Sequence, residues 1–241
     1  MGDRVGTQHR HFQQELEELK DKLLAMSGLV ESAVSRSITA VVQKNRKLAE
    51  EVLQNESFVN QMEIEIDNQA ISLLALHQPM AGDLRLITAA LKINTDLERI
   101  GDLAVNIARQ ALDLIGEPAA RPLIDIPHIG RLVQSMMRTA LDAFVAKDAD
   151  LARKVLASDD AVDDLRTAFM RELITVMQRE PEKIPHSLSL LFVVRNLERI
   201  ADHSTNIAED VLFYVKGVDV RHNTEGLAGR PPETGKIDPR S

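Results

Sequence analysis

Two short segments of the sequence carry the same row of acidic and amide side chains. The segments DLERIGDLAVNIA, residues 96–108, and NLERIADHSTNIA, residues 196–208, are identical at eight of 13 positions. The identical positions include the pairs Glu98/Glu198, Asp102/Asp202 and Asn106/Asn206. Because these residues recur every four positions, a helix places them in one row. Each row would present carboxylate and amide oxygens, which suit multivalent cations such as Mg²⁺, Mn²⁺, iron or Zn²⁺.

The acids in these rows have no evident benefit for helix stability. Carboxylates four positions apart repel each other by roughly a few tenths of a kcal/mol. A single such pair usually belongs to an ordinary solvated face. Here both copies keep the acids and the asparagine, while the neighbouring residues differ. A bound metal ion would relieve the repulsion. Alternatively, Arg99 and Arg199 could pair with acids across an interface.

Helical phase predicts where the rows face. At 100° per residue, Leu97, Ile100 and Ile107 fall on one side of the first motif helix, and the acids fall nearly opposite. The second copy has the same arrangement, with Leu197, Ile200 and its neighbours forming the apolar stripe. We therefore expect the acids on exposed faces, opposite the core of each bundle.

The repeated motif is part of a longer internal duplication. Residues 40–53 match residues 143–156 at seven of 14 positions with an offset of 103, and the motifs match with an offset of 100. The three missing residues are most simply placed at the turn REPEKIP, residues 179–185. Each half has the apolar periodicity of a long helix, an interrupted helix and a motif helix. Breaks are expected near Lys44-Asn45 and at residues 55–57, with Asp83 capping the first motif helix.

The sequence therefore predicts an all-α fold of two pseudo-symmetric three-helix bundles, with six principal helices and no sheet. We place the first bundle at residues 1–116, a proline-rich linker at 117–127 and the second bundle at 128–217. Residues 218–241 are rich in glycine, proline and charge, which predicts a disordered tail. The apolar run at 188–194 predicts burial between the bundles, with a dimer contact as the alternative.

Composition limits the possible functions. The 241 residues carry a net charge of −8, which argues against nonspecific nucleic-acid binding. There is no cysteine and no run of 18 apolar residues, and the N-terminus lacks the apolar core of a signal peptide. We expect a cytoplasmic protein without direct membrane insertion.

The motif helices contain no recognisable catalytic set. Ferritin-like di-iron sites use Glu-x-x-His pairs on buried faces, and neither motif helix contains one. The chain also lacks a phosphate-binding glycine loop and a nucleophile elbow. We therefore predict a non-enzymatic role. Two alternatives stay open, namely a metal-dependent enzyme that uses the acidic rows and a helical scaffold without metal.

The two motifs, together with the duplication, resemble the PhoU family of accessory regulators of bacterial phosphate-specific transport. The resemblance is carried by residues 78–108, QPMAGDLRLITAALKINTDLERIGDLAVNIA, and residues 196–217, NLERIADHSTNIAEDVLFYVKG. The helical plan agrees with the family over about residues 8–217.

The resemblance implies metal ions or clusters at the Glu-x-x-x-Asp rows. The implied ligands are Glu98, Asp102, Glu198 and Asp202, with Asn106 and Asn206 as additional candidates. The metal is divalent or trivalent, with iron, zinc, manganese and magnesium all open. The resemblance also implies negative regulation of phosphate uptake and of the phosphate-starvation response. The implied partners are the phosphate ABC transporter, the phosphate-sensing histidine kinase and a second copy of the chain. Membrane association would be peripheral, at the inner face and through these partners.

Overall fold

The structure is a computed structural model that describes residues 2–115 and 124–218, with side chains from residue 10 onward. Most of the predicted linker and all of the predicted tail except Val218 lie outside these residues. The described residues form seven α-helices and one 3₁₀ turn, with no strand. The helices are α1 (Gly2–Gln43), α2 (Arg46–His77), α3 (Ala81–Ile115), α4 (Ile126–Ala146), α5 (Ala149–Leu156), α6 (Asp159–Arg179) and α7 (Ile184–Lys216), and the 3₁₀ turn is Pro181–Lys183.

The turn after the first helix of each half has the same backbone geometry, which reflects the duplication. Lys44 after α1 and Lys147 after α4 both have left-handed backbone, with φ of 51° and 53°. The next residues, Asn45 and Asp148, cap α2 and α5 by accepting hydrogen bonds from backbone N–H groups. These pairs are separated by 103 residues, the offset found in the sequence. The predicted break at Lys44-Asn45 is thus confirmed, and its repeat is present.

Two predicted features of the helices are wrong. Residues 55–57 do not interrupt α2, because buried Val52 and Val59 on either side hold the helix against its bundle and override the weak propensity of the polar residues. Asp83 lies in the first turn of α3, which begins at Ala81. Helix α4 begins at Ile126, where the Asp125 carboxylate accepts a hydrogen bond from the His128 N–H at 3.0 Å and caps the helix.

The helices form two three-helix bundles, which confirms the predicted fold class. The first bundle contains α1, α2 and α3, and the second contains α4, the interrupted pair α5 and α6, and α7. The motif helices α3 and α7 pack against each other more extensively than any other two helices. The buried side chains of both halves belong to one continuous core. No helix within the described ranges is long and apolar enough to cross a membrane.

Polar contacts also join the two halves along α3 and α7. His203 Nδ1 lies 2.7 Å from Asp96 Oδ1, and Lys92 Nζ lies 2.8 Å from Asp210 Oδ1. Because Asp210 is only 5% exposed, the lysine compensates a carboxylate that is largely removed from water. The two motif helices therefore meet in a packed interface, and each acidic row faces another direction.

The apolar run at residues 188–194 is not buried on all sides. Leu190, Val193 and Val194 are buried in the core, but Leu188 and Phe192 are 41% and 44% exposed. The prediction of full burial was wrong because α7 is covered by other helices on only part of its circumference.

Candidate metal centre

The acidic row on α3 is joined by a second acidic pair from α2. The two helices approach closely at Gly101, where an added Cβ atom would lie 3.3 Å from a methyl group of Val59. Glu63 and Asp67, four positions apart on α2, therefore lie next to the α3 row, and the pKa shifts described below reflect their charges. We call these two residues, with Glu98 and Asp102, the first acidic cluster. Its donor set consists of four carboxylates.

Burial distinguishes this cluster from a solvated face. The row faces away from the apolar core, as predicted, but the Glu98 side chain is only 16% exposed, so the row is partly buried. Burial raises the pKa of Glu98 above its usual range, and the nearby Asp102 charge and hydrogen bond raise it further. Burial and the charge of Asp67 likewise raise the pKa of Glu63. Arg99 Nε, 3.5 Å from Glu98, offsets only part of this repulsion.

Asn94 fixes one carboxylate of the first acidic cluster. This asparagine is fully buried, and its Nδ2 atom donates to the Asp67 Oδ1 at 2.8 Å and to the Glu63 carbonyl at 3.0 Å. These hydrogen bonds connect α3 to α2 beside the acids of the cluster. The corresponding residue of the second half is Val194, so this positioning is absent there.

The second half contains a related but different cluster. Asp159 and Asp163 at the start of α6 lie beside Glu198 and Asp202 on α7, and we call these four residues the second acidic cluster. Burial raises the pKa of Asp202, with further contributions from Glu198, Asp159 and Asp163. Burial also raises the pKa of Asp159, as do neighbouring acids. Glu198 is 17% exposed, whereas Asp202 lies on the exposed face that the sequence predicted.

An arginine accompanies the second acidic cluster. Arg166 Nε on α6 donates to Glu198 Oε1 at 3.2 Å. At the sequence offset of 103, Arg166 corresponds to Glu63, so a positive charge replaces a negative one beside the motif glutamate. A metal ion at Glu198 would have to displace this ion pair. Cation binding at the second acidic cluster is therefore less favourable than at the first.

The motif asparagines have other partners. Asn106 Oδ1 accepts a hydrogen bond from Arg109 at 3.2 Å, and Asn206 Nδ2 donates to Asp96 on the opposite half at 3.3 Å. Neither amide is bonded to the acids of its own row in the described structure. Asn206 instead helps His203 to hold the two motif helices together through Asp96.

The donor chemistry of both clusters fits a hard or borderline cation. Oxygen-only sites with several carboxylates suit Mg²⁺, Mn²⁺ and iron, and zinc also accepts carboxylates. With the side chains in their present rotamers, no three acidic or histidine groups among the described residues could hold an ion. Glu63 and Glu98 in the first cluster, or Asp159 and Asp202 in the second, would have to converge on the ion. Mutual repulsion opposes that movement in the absence of a cation, and a bound cation would relieve the repulsion.

The sequence indicated only half of each cluster. The motif comparison identified Glu98, Asp102, Glu198 and Asp202, but missed Glu63, Asp67, Asp159 and Asp163. Both missed pairs have the i, i+4 spacing of the motif acids, which is the signal that was available. They do not occupy equivalent positions in the two halves, so a comparison of the halves could not reveal them.

The raised pKa values predict a specific pH dependence of stability. Glu63, Glu98, Asp159 and Asp202 bind protons more tightly in the folded chain than in the unfolded chain. Their contribution to stability is therefore complete below the usual carboxyl pKa values of 4.5 and 3.8 and is lost as the pH rises through the raised folded values. We expect the variant E63Q/E98Q/D159N/D202N, freed of metal by a chelator, to gain stability over wild type as the pH increases from about 4.5 to 7.

Urea unfolding of both proteins at several pH values measures this difference. The variant E17Q/E50Q/D21N/D150N, which neutralises four exposed acids outside the clusters, serves as the control. A stability difference between the cluster variant and wild type that stays constant across this pH range would contradict the prediction.

Comparison with known proteins agrees with the duplicated architecture. The sequence profile described as the PhoU domain matches residues 23–111 and 126–211, one match in each half. The phosphate-specific transport system accessory protein PhoU homolog of Pseudomonas putida is 45% identical over 214 residues, 88% of this chain and 84% of that protein. The PhoU protein of Escherichia coli strain K12 is 37% identical over 211 residues and 88% of each chain.

Solved structures give the same result. The crystal structure of PhoU from Pseudomonas aeruginosa matches with a TM-score of 0.83 and 43% identity, covering 86% of this chain and all of that one. The phosphate transport system regulatory protein PhoU from Streptococcus pneumoniae matches with a TM-score of 0.80 and 31% identity, covering 87% and 99%.

The fold and the two acidic clusters define a protein of two duplicated helical bundles, each with a carboxylate-rich surface on its motif helix. The sequence and structural matches extend over nearly all of this architecture. The chain belongs to the PhoU family.

Proposed function

We propose that this chain is a non-enzymatic regulator that lowers phosphate uptake and represses the phosphate-starvation response. It acts by binding the phosphate ABC transporter and the phosphate-sensing histidine kinase. The observation that carries this proposal is the match along both halves to proteins named as accessory proteins of phosphate-specific transport. The helical surfaces and acidic clusters suit a binding protein, and membrane association would be indirect, through the partners at the inner face of the cytoplasmic membrane.

The proposal includes metal binding at the two acidic clusters. Glu98 and Asp102 would bind a cation with Glu63 and Asp67, and Glu198 and Asp202 would do so with Asp159 and Asp163. The support is the all-carboxylate donor set and the mutual repulsion of partly buried acids. A bound cation would reduce the negative charge of each surface, so metal content would alter docking. We further propose that two copies of the chain associate as a homodimer.

Gene deletion tests the regulatory role. We expect a strain without this protein to express phosphate-starvation genes in phosphate-rich medium, because repression through the kinase requires the regulator. A transcriptional reporter of the starvation response measures the effect. Wild-type protein supplied in trans should restore repression, whereas the same gene with an early stop codon should not.

A binding assay tests the mechanism. The purified chain should bind the cytoplasmic part of the kinase and the nucleotide-binding subunit of the transporter from the same organism. Normal repression in the deletion strain, together with no binding to either protein, would reject the proposal. Phosphatase or oxidase activity that follows metal content and disappears on replacing Glu98 and Glu198 would favour the enzymatic alternative.

A further inference from the structure

A groove between α6 and α7 has a charge opposite to that of the protein as a whole. Its volume is about 440 Å³, and it is lined by three arginines, one glutamate and two apolar residues: Arg166, Arg195, Arg199, Glu198, Met170 and Leu191. The whole chain has a net charge of −8. The groove is therefore a local basic surface on an acidic protein.

Two of the three arginines are available for an external partner. Arg166 is engaged with Glu198. Arg195 and Arg199 are exposed, and neither forms an ion pair with any described residue. They lie four positions apart on α7, so their guanidinium groups project from the same side of the helix. Paired arginines of this kind suit bidentate recognition of carboxylates.

The equivalent surface of the first half does not carry this positive charge. At the offsets of the duplication, Arg99 and Glu98 match Arg199 and Glu198, but Thr95 stands where the second half has Arg195. Glu63 and Asp67 stand where the second half has Arg166 and Met170. The equivalent surface of the first half is therefore acidic. Because the two halves share the same fold, this difference does not arise from packing requirements. The pair of exposed arginines four positions apart is present in the second half and absent from the first.

The basic groove continues into an exposed apolar strip. Ile184, Leu188 and Phe192 follow one another at four-residue intervals on α7 and are 38%, 41% and 44% exposed. Ile174 on α6, four positions after Met170, is 45% exposed. Apolar side chains along the strip suit the apolar face of an amphipathic helix, and arginines at one end suit acidic residues near one end of that helix.

We propose that the α6–α7 groove docks an acidic amphipathic helix of a partner protein. Carboxylates of that helix would bind Arg195 and Arg199, and its apolar side chains would cover Leu188 and Ile174. A concave groove admits a single helix, whereas a flat anionic bilayer could not reach its floor and would be repelled by the rest of this acidic chain. The inference rests on the proposed function, since it assigns a docking surface to the protein partners proposed there.

Neutralising the two exposed arginines tests the inference. The probes are the cytoplasmic part of the sensor kinase and the nucleotide-binding subunit of the transporter. We expect R195Q/R199Q to weaken binding to at least one of them by about tenfold or more at 0.1 M salt, because two charge-assisted contacts are lost. The control R138Q/R153Q removes two arginines outside the groove and should change both affinities by less than about twofold. Circular dichroism verifies that both variants keep their helices.

The possible outcomes separate the two proposals. Unchanged affinity of R195Q/R199Q for both partners, or equal weakening in the control, overturns the docking site while the proposed function stands. If wild type binds neither partner, the proposed function fails and the docking site with it. Wild-type sedimentation with phosphatidylglycerol vesicles that is lost in R195Q/R199Q, with protein affinities unchanged, overturns the inference in favour of a lipid ligand.

Discussion

Replacing Glu98, Asp102, Glu198 and Asp202 together with alanine should abolish metal binding and leave the helical fold intact. The four side chains contribute half of each acidic cluster, and two carboxylates from α2 or α6 alone provide too few ligands for a retained cation. None of the four belongs to the apolar core, and their removal also relieves repulsion in the metal-free protein. Elemental analysis of protein purified without added metal, together with circular dichroism, measures both effects.

Partial variants make this prediction more specific. We expect E98A/D102A and E198A/D202A each to remove one cluster, and the first cluster to bind a limiting metal ion more tightly. The reason is that Arg166 is hydrogen-bonded to Glu198 at 3.2 Å, whereas the ion pair between Arg99 and Glu98 is longer, at 3.5 Å, and is easier for a cation to displace. The control E17A/E50A/D21A/D150A removes four exposed acids and should keep full stoichiometry. Unchanged metal content in the quadruple cluster variant would refute the assignment of these residues.

The sequence allowed the overall fold to be predicted because the relevant signals are local or repeated. Apolar periodicity located the helices, and two matching segments with offsets of 103 and 100 revealed the duplication. The repeated left-handed joint at Lys44 and Lys147 shows that even the turn geometry follows this duplication. By contrast, the continuity of α2 through residues 55–57 depends on packing of Val52 and Val59, which local propensity does not describe.

The acidic clusters were only partly predictable because each is assembled from two helices. Spacing within α3 placed Glu98 and Asp102 in one row, but it could not show which residues of α2 lie beside them. That pairing depends on the rotation of α2 and on the close contact at Gly101. Asn94 was missed for a related reason: its role consists of hydrogen bonds to another helix, and nothing in its local sequence marks it.

Truncating Ile100 or Ile200 to alanine should destabilise the whole protein by about 3–4 kcal/mol in either case. The two residues are equivalent positions of the motif helices, and both are completely buried. Each truncation removes three buried carbon atoms and leaves a cavity that close-packed helices fill only in part. Urea unfolding followed by circular dichroism measures the loss, with I64A on α2 and I174A on α6 as exposed controls that should cost less than about 0.5 kcal/mol.

The fold also predicts the shape of the unfolding curve. Because α3 and α7 pack against each other and the buried residues of both halves form one core, neither half can unfold while its partner stays intact. The variants I100A and I200A should therefore each unfold in one transition, with the same dependence of the unfolding free energy on urea concentration as wild type. Two separate transitions in either variant would show that the halves are independent units. A single transition would mean that a change at one acidic cluster, such as metal binding, stabilises the helices that carry the other.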